Sequence, residues 1–540
     1  MGKILIVGSG ISGLSAAISL AQKGKQVLLL SPYASERSQS VMAMGGINAA
    51  LNTKGEGDSP NIHKMDTLKG GRFIANEKAV EGLCNSTPTI IKMLVELGVV
   101  FTLDEQNRVD LRAFGGQTNR RTAYAGASTG KQIVSALARK CREYEASGRV
   151  VRMLGSQFLY GLIQNGVCYG ALLYDIRKRE VYAQYADAVI MACGGQNTLF
   201  GKTTGSMLCD GSAAAALFAQ GVALKNLEFI QYHPTTIETS QKRMLISEAA
   251  RGEGGRLFYL SDAGQRVYFM EDKYGEKGNL MPRDVVSKEI YDVKKQVYLD
   301  ITFLGKELIQ QKLSEIDEIC LKYAGLDVSK EPIPVRPSVH FFMGGLWVNR
   351  RHETNIKDLY AVGECASIYH GANRLGGNSL LAAVYSGQVA ADSIAVEEKK
   401  TPDFTAFITL QKSKMLQCTQ TKSKFPVVYI LNSIANIMNE DLGITRCEET
   451  LLNGIAQMDF YLDIIEKIHF DSGISPYQTY AIGNQILLCK AILLCAQNRK
   501  ESRGSHIRED YPLLSPDYEA ASIVTYEEGK ILYQLEKDVL

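Results

Sequence analysis

The chain has 540 residues, 45% hydrophobic and 22% charged, and its 60 Lys plus Arg against 58 Asp plus Glu leave a formal net charge of +2. At roughly 100 to 200 residues per domain, three or four cores are expected, and the balanced charge excludes nucleic acid as the main partner because counterion displacement needs a basic footprint. Eleven scattered Cys without a C-x-x-C exclude a disulfide framework and a thiolate metal site, so a reducing, cytoplasmic setting with no metal is expected.

Ile4 to Val7 reads as a short strand, followed by Gly8, Gly10 and Gly13, a helical stretch to about Lys23, and the apolar run "QVLLLS" at 26–31. This is a βαβ opening around G-x-G-x-x-G. The first glycine makes the tight turn, the second lets backbone approach a pyrophosphate, and the third lets the helix pack on the strand. Dinucleotide binding is expected here, although the second strand ends at Ser31 where an acid commonly holds the adenosine ribose. The opening has no long apolar leader or twin arginine, and no run approaches about 18 apolar residues. Even "ILLCKAILLCA" is broken by Lys490. No membrane span is expected, which leaves open peripheral docking at the inner face of a cell membrane through a partner.

"ADAVIMACGG" (186–195) and "DLYAVGEC" (358–365) read as later strands of the same sheet, so something is inserted between them. The expected division is a nucleotide-binding domain in two parts, 1–224 and 346–400, around a second domain at 225–345. After the charge run Glu397, Glu398, Lys399, Lys400 and the breaker Pro402, helical spacing continues to about 500, giving a helical domain and tail at 401–540. The tail is polar and irregular around Pro512 and Pro516.

Four of the seven His, at 233, 340, 370 and 506, fall in the blocks "EFIQYHPT", "RPSVHFFMGG", "HGANRLGGNSL" and "ESRGSHIREDYP". With "ISEAARGEGG" and "MPRDVVS" these blocks supply His233, His340, Arg251, Arg283 and Arg374, and Glu248 stands three residues before Arg251 on one helical face. Several cations around one acid suit a small dianion, and the glycine-rich setting lets backbone close on a ligand.

These blocks resemble the flavoprotein subunit of succinate dehydrogenase and fumarate reductase, a group that also holds soluble fumarate reductases and L-aspartate oxidase. The resemblance runs from Gly8 to about Pro512. It implies an α/β fold: a Rossmann-type FAD-binding domain interrupted by an α+β capping domain and followed by a C-terminal helical domain. It also implies FAD contacts at Gly8, Gly10, Gly13, Ser31, Arg37, Ser38, Gln39, Ser40, Gly45, Gly46, Asp210, Glu364, Ser379 and Leu380. The implied carboxylate ligands are His233, Ser247, His340 and Arg374, with Ser247 where relatives usually have Thr. Hydride would pass from the reduced flavin to fumarate, His340 and Arg374 would stabilise the charge building on the adjacent carboxylate, and Arg283 would protonate the carbanion, with Glu248 and Arg251 relaying protons. Arginine is a very weak acid, so that transfer would be transient.

The chain departs from its relatives at two places. Membrane-bound complexes usually link FAD through a His in "RSHT", whereas this chain reads "RSQS" with Gln39, so noncovalent FAD and a preference for the reductive direction are implied. Met44 stands where relatives have Glu or Gln. L-Aspartate oxidase is the main alternative, and its acid for the substrate ammonium is replaced by Phe114. Urocanate-type and other enoate reductases keep only part of the His233, His340 and Arg374 set. A thiol–disulfide flavin reductase would need a close cysteine pair, which the spacing does not offer. A second alternative, an FAD-binding electron-transfer subunit without turnover, is opposed by the intact Arg283, Glu248 and Arg251. With no C-x-x-C-H and no cluster cysteines in the chain, electrons are expected from an iron–sulfur protein docking near the helical domain and "ESRGSHIREDYP".

Overall fold

The computed structural model describes all residues except Met1, Ala127, Gln241, 396–398, 421–426, 466–475 and 538–540, so Glu397 and Glu398 of the charge run lie outside the described residues. A five-stranded parallel sheet carries the first domain, in the order Leu359–Ala361, Ala188–Met191, Lys3–Val7, Gln26–Ser31, Val150–Leu154. Both later runs thus join the same sheet as expected, Ala188–Met191 beside the first strand and Leu359–Ala361 beyond it at the edge. The helix Ile11–Gln22 follows the glycine turn and packs against Asn378–Ser393. Their approach is close: a Cβ on Gly387 would fall 2.5 Å from the Ser12 carbonyl oxygen, and Ser15 Oγ donates to the Val384 carbonyl at 2.8 Å.

The inserted region builds a separate antiparallel sheet in the order Arg243–Leu245, Ile230–Glu238, Ile333–Phe342, Val297–Asp300, Arg256–Leu260, Arg266–Val267. Helices such as Arg283–Asp292 cover it, and a core of its own forms around Ile246, Leu257, Val286, Leu299 and Ile333. This is the α+β capping domain. Another antiparallel sheet, Ser156–Gln164, Val167–Asp175 and Glu180–Tyr185, shares a small core with the helices Thr405–Gln420 and Pro476–Asn498.

The helices Val427–Glu440 and Glu448–Ile465 complete the C-terminal helical part. Pro476–Asn498 is long and apolar enough to cross a membrane by length and composition, but 72% of its most apolar window is buried inside the fold. Packing against the helices Ser212–Phe218 and Glu448–Ile465 accounts for that character.

Around Pro512 and Pro516 the tail has no strand or α-helix, as expected, and regular pairing begins beyond them. Ala521–Glu527 and Lys530–Glu536 form a hairpin, and the first of these strands pairs with Leu224–Lys225 at the entrance to the capping domain. On its other edge Leu224–Lys225 pairs with Gly345–Trp347, the chain's return from the cap. A buried charge network pins this junction. Glu228 accepts Arg499 Nε at 2.6 Å and Ser522 Oγ at 2.6 Å, and Arg499 also donates to Glu501 at 2.9 Å and to the carbonyls of Tyr518 and Ala520 at 2.8 Å. His506 Nε2 donates to the Arg499 carbonyl at 3.0 Å, while its Nδ1 accepts Arg446 Nη1 at 2.8 Å.

The "ESRGSHIREDYP" block is therefore an internal brace. Glu501, Arg503, Ser505, His506 and Arg508 are all buried, so most of the block's charge is spent inside the fold, and only Glu509, Asp510 and Pro512 are exposed on the expected docking segment. Removing one member of a buried ion network strands its partners, at about 3 to 5 kcal/mol. Glu228→Ala is expected to lower stability by that amount and to speed amide exchange in 521–536; unchanged melting and exchange would refute the bracing role.

Candidate functional site

The carboxyl ends of the parallel strands face the capping domain across one cleft, where α/β sheets place their ligands. Gly8 has φ +115°, and a Cβ there would lie 2.1 Å from the Ala192 carbonyl oxygen; a Cβ on Gly13 would lie 1.9 Å from that of Gly8. Gly8 makes the turn and lines the cleft, whereas Gly13 acts behind it, in helix packing. Gly10 caps the helix Ile11–Gln22, and Gly377, at φ +83°, caps Asn378–Ser393; neither end has a side-chain cap. Two helix N-termini thus bring free N–H groups and partial positive charge to one cleft, which fits a pyrophosphate.

Ser31, Ser38, Gln39, Ser40, Gly45, Gly46, Asp210, Glu364, Ser379 and Leu380 line the same cleft. Ser38 Oγ is buried without a partner, Ser40 Oγ accepts Ile11 N–H at 3.2 Å, and Gln39 Oε1 accepts Ser206 N–H at 2.5 Å. Asp210 accepts Ser212 N–H at 3.0 Å, and desolvation raises its carboxyl. Glu364 accepts Phe342 N–H at 3.2 Å, and desolvation pushes it up to about 7. These features fit FAD, with Arg37 as the exception. It is exposed, with its guanidinium 5.3 Å from the Tyr33 ring centroid, because the short helical turn Ser35–Arg37 directs it outward, off the cleft wall.

The second part of the cleft gathers the remaining candidates. Glu248, Arg251, Arg283 and Arg374 are 2%, 1%, 7% and 3% exposed, so four ionisable groups share a buried space. Arg283 donates to Glu248 Oε2 through Nε at 2.9 Å and Nη2 at 2.7 Å, and Arg251 Nη2 lies 3.6 Å from Oε1. Gly115 N–H also reaches Oε1, at 2.7 Å. Burial pushes the Glu248 carboxyl up, but Arg283 and Arg251 outweigh it and hold it below the usual range. Burial lowers Arg251 and Arg374, the latter further through Arg283.

His233 and His340 stand edge to face, centroids 5.2 Å apart, and both are held far below the usual imidazole range by burial and then by Arg283. His340 Nδ1 meets Thr204 Oγ1 at 2.9 Å, and His233 Nδ1 meets the Thr235 carbonyl at 3.1 Å. Ser247 lines the cleft, its Oγ accepting Ala249 N–H at 3.3 Å.

Sequence reasoning missed Gln231. Its Oε1 accepts both Arg283 Nη1 at 3.0 Å and Arg374 Nη2 at 2.8 Å, while Nε2 donates to Asn373 Oδ1 and the Arg374 carbonyl, each at 2.7 Å. It lies inside the "EFIQYHPT" block, but an uncharged amide gives no signal of its own. The cysteine argument also needs correction, since strand pairing makes the thiols of Cys193 and Cys365 meet beside the cleft although 172 residues separate them. Phe114 fills the space over Gly45 and Gly376, where an added Cβ would meet its ring at 2.7 and 2.9 Å.

The family described as FAD binding domain matches residues 3–380, and that described as fumarate reductase flavoprotein C-term matches residues 432–535. The succinate dehydrogenase flavoprotein subunit of Bacillus subtilis (strain 168) is 38% identical over 539 residues, spanning 95% of this chain and 92% of that protein. L-Aspartate oxidase of Nostoc sp. (strain PCC 7120) is 31% identical over 96% of this chain and 93% of its own. Among solved structures, a quinol-fumarate reductase with menaquinol molecules matches with a TM-score of 0.91 at 27% identity, over all of this chain and 98% of that one.

Burial lowers six histidines, to about 4 at His63 and His352, about 3 at His370, and well below the usual range at His233, His340 and His506. Below their ordinary value near 6.5 the unfolded chain binds protons that the folded chain does not, so stability falls as pH falls. Glu364 and Glu315, raised to about 7 and about 8 by burial, oppose this by keeping protons that the unfolded chain releases above about pH 4.5. At pH 5 the six histidines outnumber these two acids, so this set takes up protons on unfolding. Melting temperature is expected to fall between pH 7 and 5; a flat or rising profile would contradict the neutral histidines.

Proposed function

Because the chain belongs to the flavoprotein family of succinate dehydrogenase and fumarate reductase, we propose that it is a catalytic subunit interconverting fumarate and succinate on noncovalent FAD, with reduction of fumarate preferred. The observation that carries this reading is the buried set of Arg251, Arg283 and Arg374 around the single carboxylate Glu248. A dicarboxylate supplies the charge that this set lacks. FAD, when bound between the two helix N-termini, supplies the hydride chemistry.

The protein's own groups bind and protonate. His340 and Arg374 hold one carboxylate and stabilise the charge that develops on it; His233 and Ser247 serve the other. Fixed donors in a dry site need no reorganisation as charge moves, which makes them effective in the transition state. Arg283, oriented by Glu248 and Gln231, presents a proton to the carbon atom. Glu248 is held ionised by Arg283 and Arg251, and Arg251 and Glu248 relay protons from solvent to replace the one that Arg283 gives up.

Gln39 supports noncovalent attachment, since its amide cannot form a histidyl link and is engaged with Ser206. Loss of that link favours the reductive direction. Phe114 speaks against aspartate oxidation, because its ring, packed over Gly45 and Gly376, carries no negative charge to pair with a substrate ammonium. The relatives named as subunits support an iron–sulfur partner as electron source, acting in the cytoplasm or at the inner membrane face through that partner.

Acid precipitation is expected to release the flavin into the supernatant; a yellow precipitate would show a covalent link and remove the argument for direction. Arg283→Gln is expected to keep FAD but lose fumarate reduction by more than about a hundredfold, the lower end of the range for acid catalysis. Arg374→Ala is expected to raise KM and lower kcat together. Fumarate-dependent oxidation of a reduced dye measures both, and a purified wild type that binds FAD without turning over would favour a non-catalytic subunit.

A further inference from the structure

The loop from Leu359–Ala361 to the helix Asn378–Ser393 carries three titratable groups that line the cleft: Glu364, His370 and Arg374. Glu364 and Arg374 have partners in Phe342 and Gln231. His370 has none. Its ring stands edge-on to Phe341, centroids 5.3 Å apart at 80°, and at 6.2 Å and 60° to Tyr369. Only 6% of the residue is exposed; Nδ1 is sealed inside the protein without a hydrogen-bond partner, and Nε2, which has no partner either, is the ring nitrogen left to face the cleft.

The other described histidines make the contrast. His63 meets Asn378, His233 meets Thr235, His340 meets Thr204, His352 meets Ala361 and Tyr369, and His506 meets Arg446 and Arg499. Among the six described histidines, His370 alone makes no hydrogen bond to protein. Native folds rarely keep a buried polar ring in that condition unless something absent from the chain satisfies it.

The chemistry of the neighbourhood selects the occupant. Burial and then the charge of Arg374 keep the imidazole neutral. A carboxylate is already provided with Arg374 and two other histidines on the cap side, and a neutral ring wedged between aromatic side chains adds little to it. A flat heteroaromatic system with carbonyl and N–H edges suits a neutral ring nitrogen better. His370 also lies within the segment 3–380 that matches the FAD binding domain.

We propose that His370 is a direct hydrogen-bond partner of the bound flavin ring system and helps set its affinity and redox poise. This inference rests on the FAD reading above. It is tested on the full chain, stripped of flavin and titrated with FAD, using His370→Phe, which keeps the packing on Phe341, and His370→Gln, which restores a hydrogen-bonding group. Loss of one net hydrogen bond is expected to weaken FAD binding about 5- to 10-fold in His370→Phe, to shift its visible absorption band and midpoint potential, and to leave His370→Gln closer to wild type.

A wild type that does not bind FAD defeats the functional reading itself. A wild type that binds, alongside a His370→Phe variant with equal affinity, spectrum and potential, overturns the role of His370 alone. Unaltered flavin binding with weakened fumarate binding assigns the ring to substrate and overturns it equally. Should His370→Phe not fold by circular dichroism, His370→Leu takes its place, and an unshifted flavin spectrum there is again the overturning result.

Discussion

Burying three guanidinium groups around one carboxylate is the constraint on which the rest of this structure depends. Left alone, that arrangement is unfavourable, since desolvated like charges repel and ions lose their hydration. The fold manages it with neutral acceptors. Gln231 Oε1 lies between Arg283 and Arg374, the Asn279 carbonyl takes Arg251 Nη1 at 2.6 Å, and both nearby histidines are kept uncharged. What these acceptors cannot supply is negative charge, and an anionic ligand does.

The components come from both halves of the molecule. Gln231, Glu248, Arg251 and Arg283 belong to the cap, while Gly115 and Arg374 come from the domain of the parallel sheet. Glu248 is addressed by Arg283 on one oxygen and by Gly115 N–H on the other, so a single carboxylate joins the two bodies across the cleft. The hydrogen bonds that complete the site are therefore also ones that hold the cap down, and Asn373, bonded to Gln231 and at 2.9 Å to Asp284, adds a second tie.

The sequence made legible what depends on the absence of a side chain or on a formal charge. Gly8 and Gly13 are readable because any Cβ there collides with backbone, and the Arg, His and Glu of the site are readable because each is a chargeable group in a short distinctive block. Gln231 escaped because a neutral amide has no compositional signature, although it is the hub of the arrangement. The contact between Cys193 and Cys365 depends on the parallel pairing of Ala188–Met191 with Leu359–Ala361, which linear spacing cannot show. Arg37 sits one residue from the cleft wall, and only the turn at Ser35–Arg37 decides which way it points. The tail hairpin was hidden by its polar surroundings, since four of the seven residues of Lys530–Glu536 are exposed.

The strand Leu224–Lys225 waits for partners from far along the chain. It sits at the threshold of the cap, and its edge toward Ala521–Glu527 is filled only by residues about 300 positions later. Glu228, just beyond it, likewise meets Arg499 and Ser522. During synthesis on a ribosome, the cap is made complete long before its threshold can close. The nascent chain must carry an open sheet edge and an unpaired acid until Arg499 and the strand Ala521–Glu527 have been made, and an unpaired edge is what invites wrong pairing in a half-built molecule.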